Sequence, residues 1–372
     1  MESRSEALLT IRDLQICYNT PTGTIRAVNS LNMDIKKGEV VGIVGETGCG
    51  KSTLAHSIPR LLPQPPAEVA GGRIEFEGVD MLSLSKREVP KYRGTGISMI
   101  FQEPINSLNP SYRIFDQVVE AIKIRKTREA GKEVVTAVEP HNYETPGPEV
   151  SHPLREITAT TRRNRFGDVE FNKKELRQEV IDFLSMVRIN DPEHILRLYP
   201  HELSGGMRQR VMIAMALSEK PKLMIADEPT SALDVTIQAQ VLSLMKDLIE
   251  EVRTSILFIS HDLGVVAEIA DRIGVMYAGY LVEIGPAEAV FKDPQHPYTQ
   301  SLLRSFPHGY KKDGRLPTLK GAVPNLMKLP SGCPFRTRCE VATDICTTEM
   351  PGAVEVGKDH FVSCYHHGRG VS

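Results

Sequence analysis

Residues 40–53 read VVGIVGETGCGKST, and this stretch decides the fold class of the chain. Its first residues are mostly β-branched, which predicts a buried strand that ends at Gly45. A helix is predicted to begin at Lys51. The loop between them matches the pattern G-x-x-x-x-G-K-[ST], in the strand–loop–helix context that this pattern requires. The stretch therefore predicts a loop that binds the phosphates of a nucleoside triphosphate.

The chemistry expected of this loop follows from its residue types. Glycines at 45, 48 and 50 let the backbone curl, so that several N–H groups can point at phosphate oxygens. Lys51 supplies a cation for the β- and γ-phosphates, and Ser52 offers a hydroxyl ligand to Mg²⁺. The predicted nucleotide-binding residues of the loop are Gly45, Glu46, Thr47, Gly48, Cys49, Gly50, Lys51, Ser52 and Thr53.

Two more apolar runs predict buried strands in the second half of the chain. They are KLMIAD (222–227) and SILFIS (255–260), and residues 235–251 between them have helical periodicity. Apolar runs that alternate with helices are typical of an α/β fold with a parallel sheet. Asp227 ends the first run and is predicted to hold Mg²⁺ directly or through water. Glu228 follows it and is predicted to polarise the attacking water as general base.

Composition excludes several other classes of protein. The chain has 372 residues, of which 41% are hydrophobic and 25% charged, and its formal net charge is −2. A balance so close to neutral does not favour nucleic acid as a partner. The sequence contains no run of about 18 apolar residues, and MESRSEALLT lacks the apolar segment of a signal peptide. We therefore expect neither export nor a membrane span, and any membrane role would come through partner subunits.

The segment LSGGMRQR (203–210) resembles the signature motif of ATP-binding cassette (ABC) proteins. Other motifs of that family occur in order, at Gln102 in IFQEP, at residues 231–234 (SALD) and at His261 after SILFIS. Tyr18 lies where the family places an aromatic ring against adenine, within a stretch, QICYNTPTG, that we predict to be a loop. The resemblance implies a P-loop NTPase (RecA-like) core with a parallel sheet, an antiparallel β-subdomain and a helical signature subdomain.

The resemblance also implies roles for these residues. Ser204, Gly205 and Gly206 would form an anion nest that closes on the γ-phosphate held by the opposite subunit's P-loop. Gln102 would contact Mg²⁺ or the lytic water, and His261 the γ-phosphate. Asp234 would lie at the dimer seam. The catalytic set is Glu228, His261 and Gln102, and the magnesium set is Ser52, Gln102 and Asp227.

Two stretches resemble one branch of the family, the D-type ATP-binding subunits of dipeptide, oligopeptide and nickel permeases. They are residues 206–242, beginning GMRQRVMIAMA, and QHPYTQSLL (295–303). The resemblance implies an ATPase that drives an importer, with peptides, nickel or oligosaccharides as candidate solutes. Its expected partners are an F-type ATPase chain, two transmembrane permease subunits and, indirectly, an extracellular solute-binding protein. It would lie on the cytoplasmic face of the membrane. The alternative is a soluble ABC ATPase that acts on nucleic acid or ribosomes.

Four of the six cysteines cluster near the C-terminus. Cys333, Cys339, Cys346 and Cys364 lack the tight C-x2–4-C pair of most structural zinc sites. In the resembled family such a tail is associated with a [4Fe–4S] cluster, which four thiolates suit. Zinc, with loose spacing, and free thiols remain the alternatives. The tail is expected to be a structural or dimer-contact module, since it is far in sequence from every phosphate-contacting motif.

The domain prediction follows from these motifs and from shifts in composition. Residues 1–285 are predicted to form the ATP-binding domain, with a helical subdomain at about 103–205. Residues of about 126–172 are rich in charge, Pro, Thr and Gly, which indicates an insertion that is mobile or loosely structured. A helix is predicted at 174–187, where an apolar stripe returns. Residues 286–372 are predicted to form a small Cys-rich C-terminal domain.

Overall fold

The chain folds into a mixture of helices and strands. The computed structural model describes residues 7–102, 107–134, 166, 169–231, 233–252, 254–305, 319 and 321–367. Its strands are β1 Ala7–Thr20, β2 Gly23–Lys36, β3 Val40–Val44, β4 Ala67–Phe76, β5 Val79–Asp80, β6 Ile97–Ile100, β7 Leu223–Asp227, β8 Ser255–Ser260, β9 Arg272–Tyr277, β10 Tyr280–Pro286, β11 Val354–Gly357 and β12 His360–Val362. Its helices are α1 Lys51–Ser57, α2 Val89–Tyr92, α3 Ile114–Glu129, α4 Lys173–Met186, α5 Pro192–Ile195, α6 Gly205–Ser218, α7 Val235–Val252, α8 Leu263–Ile269, α9 Ala287–Lys292, α10 Pro297–Arg304 and α11 Ile345–Thr348.

The larger of two compact units holds residues 1–92, 99–102 and 222–372. Its main sheet has the order β11-β12-β10-β9-β3-β8-β7-β6. β3 pairs in parallel with β8 and β9, and β8 pairs in parallel with β7. Every residue of these four strands is buried, as expected for parallel strands covered on both faces. The strands predicted at 40–45, 222–227 and 255–260 are confirmed, as are the helices that begin at Lys51 and Val235.

An antiparallel sheet of order β2-β1-β4-β5 belongs to the same unit. Tyr18 lies in β1 and is paired with Ile25 of β2 and with Ala67 of β4. The loop predicted for QICYNTPTG is therefore wrong, because the turn is confined to Pro21 and Thr22. The polar, turn-forming composition of this stretch hid a strand whose backbone is fixed by two neighbours.

The smaller unit holds residues 93–98 and 103–221. Its helices α3, α4 and α6 pack against one another in pairs. Buried aliphatic side chains line the contact, among them Ile122 on α3 and Val180 on α4. Arg125 is almost fully buried and is paired with Glu179 on the neighbouring helix. The helix predicted at 174–187 is confirmed with a one-residue shift of both ends.

The residues after β10, which we call the C-terminal segment, add two strands to the main sheet of the larger unit. β12 pairs antiparallel with β10, and β11 pairs antiparallel with β12. Leu326, earlier in the same segment, contacts the antiparallel sheet: its carbonyl accepts a hydrogen bond from the N–H of Arg26 on β2 at 3.2 Å. The predicted boundary near residue 285, and a separate Cys-rich module beyond it, stay predictions.

Several sequence predictions fall on residues outside the described ranges. Most of the predicted insertion 126–172 lies there, whereas its residues 126–129 are the last four of α3. Ala232 of the SALD motif and residues 1–6 also lie outside. Within the described ranges, no helix combines the length and the hydrophobicity of a transmembrane span.

Candidate functional site

The glycine loop connects β3 to α1 and has no space for side chains at two of its glycines. Gly50 has φ 102°, and a Cβ there would lie 2.1 Å from the Ala27 carbonyl oxygen. A Cβ at Gly45, where φ is 156°, would lie 2.2 Å from the carbonyl oxygen of Met276. Both contacts are with backbone atoms and cannot be relieved by rotating a side chain. The loop is thus held in its curled form by close approach to its neighbours.

Lys51 lies inside the curl of this loop. Its Nζ donates to the carbonyl oxygens of Gly45, at 2.7 Å, and Glu46, at 3.2 Å. The side chain is only 4% exposed, and Nζ lies 4.0 Å from Glu228 Oε1. An ammonium group buried this deeply keeps most of its electrostatic strength, because little water screens it.

Ser52 and Asp227 meet beside Lys51. The Ser52 hydroxyl donates to Asp227 Oδ1 at 3.1 Å. Asp227 ends β7 and is 1% exposed. Burial raises the pKa of its carboxyl group, against the lowering effect of the Ser52 hydrogen bond. A hydroxyl and a carboxylate at this place are oxygen ligands of the kind that Mg²⁺ prefers.

Glu228 brings the predicted catalytic residues together. Gln102 Nε2 donates to Glu228 Oε2 at 3.0 Å, and His261 Nδ1 lies 3.4 Å from the same oxygen. The backbone of Glu228 is left-handed, with φ 45°, and its N–H donates to the Ile259 carbonyl. A left-handed backbone is uncommon for a glutamate, and residues held in such conformations cluster at active sites. Gln102 and His261 therefore contact the same carboxylate, although Gln102 lies 126 residues before Glu228 in the sequence.

Tyr18 also lies at this loop, on the side of α1. Its hydroxyl is 3.2 Å from Thr53 Oγ1, the last residue of the predicted phosphate loop. The ring is neither fully buried nor fully exposed. The structure thus places Tyr18 next to the predicted nucleotide site.

The remaining predicted residues lie at the beginnings of helices. Ser204 precedes α6 in the smaller unit, and its Oγ accepts from the Met207 N–H at 3.4 Å. Ser204 and Gly205 are exposed, and Gly206 is partly so. Asp234 precedes α7 and accepts from the Ile237 N–H at 3.0 Å. In the part of the chain that the structure describes, Ser204 and Asp234 cap the starts of α6 and α7, and Gly205 and Gly206 are the first residues of α6.

Sequence reasoning missed two residues that hold the phosphate loop. The Arg338 guanidinium contacts both carboxylate oxygens of Glu46, and the hydroxyl of Tyr298 accepts from the Glu46 N–H at 3.0 Å. Both come from the C-terminal segment, more than 250 residues from the loop. In CPFRTRC (333–339) the cysteines predicted a site for a metal or a cluster, whereas no pattern predicted the contact between Arg338 and Glu46.

The four C-terminal cysteines line a single cavity. Cys333, Cys339, Cys346 and Cys364 contribute to its wall, together with aromatic and histidine side chains. Burial raises the pKa of the Cys333 thiol to about 11 and that of Cys364 to about 12. In the described part of the chain, no three His, Cys, Asp or Glu side chains are grouped closely enough to hold a metal ion. The four thiols thus line the same cavity, but in the described residues no three of them are placed to coordinate one metal ion.

A glycine-rich phosphate loop, a buried lysine and paired acids at the end of a parallel strand define a P-loop nucleoside triphosphatase. The family model described as "ABC transporter" matches residues 28–231, more than half of the chain. A second, described as "Oligopeptide/dipeptide transporter, C-terminal region", matches residues 282–346. The chain belongs to the ABC transporter family and is an ATPase with that family's ATP-binding cassette fold.

Curated relatives agree with this assignment along nearly the whole chain. The dipeptide transport ATP-binding protein DppD of Bacillus subtilis (strain 168) is 41% identical over 97% of this chain and 95% of its own length. The oligopeptide transport ATP-binding protein OppD of Escherichia coli (strain K12) is 40% identical over 94% of this chain and 90% of its own. The predicted resemblance to ATP-binding subunits of peptide permeases is confirmed.

Solved structures support the fold. A dimeric ATP-binding cassette in a post-hydrolysis state bound to ADP and Pi matches with a TM-score of 0.57 and 23% identity, covering 75% of this chain and 98% of that one. The structure of cbiO1 from Clostridium perfringens, part of the ABC transporter complex cbiONQ, matches with a TM-score of 0.54 and 26% identity, covering 77% and 91%.

Proposed function

We propose that this ATPase is the motor subunit of a membrane importer for peptides, attached to the cytoplasmic face of the membrane. The observation that carries the motor assignment is the shared carboxylate of Glu228, which Gln102 and His261 both contact. The importer and its peptide cargo are supported by the names of the dipeptide and oligopeptide transport relatives and by the match of the C-terminal region. Nickel and oligosaccharides remain alternative solutes.

Nucleotide binding is proposed to rest on the loop and on Tyr18. The backbone N–H groups of residues 45–53 would surround the phosphates, and the Lys51 ammonium would neutralise their charge. The ring of Tyr18 would contact the adenine, which its position beside Thr53 allows. Ser52, Asp227 and Gln102 would hold Mg²⁺, which when bound supplies positive charge to the β- and γ-phosphate oxygens.

Hydrolysis is proposed to use Glu228 as general base. Its carboxylate would accept a proton from the attacking water, while Gln102 and His261 orient that carboxylate and the water. Lys51 Nζ lies 4.0 Å from Glu228 Oε1, so the proposed base stands next to the proposed phosphate-binding cation. His261 is more than half exposed and could turn toward the γ-phosphate.

The signature residues Ser204, Gly205 and Gly206, with Asp234, are proposed to complete the site of a second ATPase subunit. The exposure of the start of α6 supports this, because its N–H groups are accessible to another molecule's phosphate. The proposed partners are an F-type ATPase chain and two transmembrane permease subunits, with an extracellular solute-binding protein acting on the assembled complex. No nucleic acid is part of the proposal.

The proposed partners predict which proteins will co-purify with the chain from its native membrane. We expect an affinity-tagged chain to co-purify with two multi-span membrane proteins and a second ATPase, identified by mass spectrometry. A tagged, unrelated ATPase from the same cells is the control. Recovery without membrane proteins, together with ATPase activity that nucleic acid or ribosomes stimulate, would support the soluble alternative instead.

The Cys333, Cys339, Cys346 and Cys364 thiolates are proposed to hold a [4Fe–4S] cluster. This proposal is supported by the lining of one cavity by all four cysteines, since four thiolates suit a cluster of this kind. A cluster here would act as a covalent cross-link between distant parts of the C-terminal segment. Zinc is the alternative.

Metal analysis of anaerobically purified protein tests the cluster. We expect about four iron and four sulfide per chain, and a loss of both in Cys364→Ser, since each thiolate would hold one iron. Cys17→Ser is the matched control, because Cys17 lies outside the cavity and its Sγ contacts the Glu68 carbonyl. Stoichiometric zinc without iron would favour the alternative, and absence of both metals would leave free thiols.

A further inference from the structure

The phosphate loop carries an acidic side chain that the C-terminal segment neutralises. Arg338 Nη1 lies 2.6 Å from Glu46 Oε2, and Nη2 lies 3.1 Å from Oε1. The Arg338 side chain is 3% exposed and that of Glu46 is 30% exposed. A bidentate pair with this burial is stronger and more directional than a surface ion pair.

Arg338 is itself fixed by the surrounding aromatic side chains. Its guanidinium lies 5.7 Å from the centre of the Tyr277 ring, and Nη1 donates to the Tyr277 hydroxyl at 3.4 Å. The ring centres of Tyr277 and Tyr298 are 4.6 Å apart, and Phe335 packs against both. Because Tyr298 accepts from the Glu46 N–H, this one cluster holds both the backbone and the side chain of Glu46.

The pair has an electrostatic consequence for a loop that receives polyphosphate. A carboxylate in the loop repels the phosphates and opposes the Lys51 ammonium, which donates to the Glu46 carbonyl from the inside of the curl. The Arg338 guanidinium cancels that charge and keeps the carboxylate turned toward the C-terminal segment. Without Arg338, Glu46 would be free to approach the phosphate-binding face of the loop.

We propose that Arg338 is a positioning residue of the nucleotide site, which makes the C-terminal segment part of the ATP-binding apparatus of its own chain. Arg338 acts through Glu46 by neutralising and immobilising its carboxylate. The inference rests on the proposed binding of ATP by the loop. Arg338 directly precedes Cys339, which lines the cysteine cavity, but the role proposed for Arg338 does not involve that cavity.

Binding of a fluorescent N-methylanthraniloyl ATP with Mg²⁺ to the whole chain tests this inference. We expect Arg338→Met to weaken binding about tenfold, because an uncompensated carboxylate then faces the phosphates. In a Glu46→Gln background the same substitution should weaken binding less than threefold, since no carboxylate remains to neutralise. Arg338→Lys keeps the charge without the bidentate contact and should weaken binding less than Arg338→Met does.

The matched control is Asp359→Asn, which breaks another ion pair between the C-terminal segment and the rest of the larger unit. Asp359 lies 3.4 Å from Lys36 Nζ, does not contact the loop, and should leave the affinity for the nucleotide unchanged. If the unsubstituted chain binds no nucleotide, the proposed function fails. If it binds and Arg338→Met binds equally well, the inference fails. Equal weakening in both backgrounds, or unfolding in both, would make Arg338 merely structural and also overturn it.

Discussion

Glu228→Gln is expected to reduce ATP turnover about 10²- to 10⁴-fold while the affinity for MgATP stays within a few-fold of the original, because a general base contributes this much. The amide has nearly the shape of the carboxylate but cannot accept a proton from water. Lys51 keeps its hydrogen bond to the Gly45 carbonyl and Ser52 keeps its hydrogen bond to Asp227 in this variant, so the phosphates and Mg²⁺ should still be held. Steady-state hydrolysis by the assembled transporter, beside equilibrium nucleotide binding, measures the two effects separately.

Glu77→Gln is the matched control for that experiment. Glu77 forms an ion pair with Lys222, the residue just before β7, whereas Glu228 follows the other end of the same strand. We expect the control to hydrolyse ATP at the original rate. Turnover that survives in Glu228→Gln would show that another group accepts the proton, and the assignment of Glu228 as base would be wrong.

Glu283→Ala is expected to lower the free energy of unfolding by about 3–5 kcal/mol, because it removes one partner of a buried polar network. Glu283 lies in β10 and is 1% exposed. Its carboxylate accepts from the Gln295 N–H at 2.8 Å and from the His296 N–H at 2.9 Å. His360 Nε2 of β12 lies 2.8 Å from the same carboxylate, so the substitution leaves three polar groups unsatisfied.

Glu288→Ala provides the control in the same part of the chain. Glu288 forms an exposed i,i+4 pair with Lys292 on α9, and exposed pairs of this kind contribute little. Chemical denaturation followed by circular dichroism compares the two variants with the original chain. Equal midpoints for Glu283→Ala and Glu288→Ala would mean that the buried network does not stabilise the fold.

The parts of the site that the sequence predicted are those that the backbone determines locally. A phosphate loop needs its glycines, lysine and hydroxyl at fixed spacing, so GETGCGKST predicts both the curl and the place of Lys51. The ends of buried parallel strands can also be predicted from the sequence, because apolar runs stop where polar side chains begin. This is why Asp227 and Glu228 were identified, and the structure indeed brings Ser52 to Asp227 and His261 to Glu228.

What the sequence could not predict depends on contacts between distant segments. No spacing rule connects Arg338 with Glu46, which are 292 residues apart. Tyr18 was assigned to a loop because Asn, Thr, Pro and Gly surround it, although pairing with both neighbouring strands overrides that local preference. The cysteine spacing likewise could not show that all four thiols face one cavity, since their approach depends on the folding of the residues between them.

The β11–β12 hairpin has a consequence for any shortened form of the chain. β12 covers the outer side of β10, where Glu283 and Ile284 pair with Val362 and Phe361. A chain ending near residue 286 would leave β10 as a bare edge strand, with unpaired N–H and C=O groups beside apolar side chains. Such an edge can recruit the same edge of another molecule. We therefore expect the β11–β12 hairpin to shield this edge and to hinder self-association through β10.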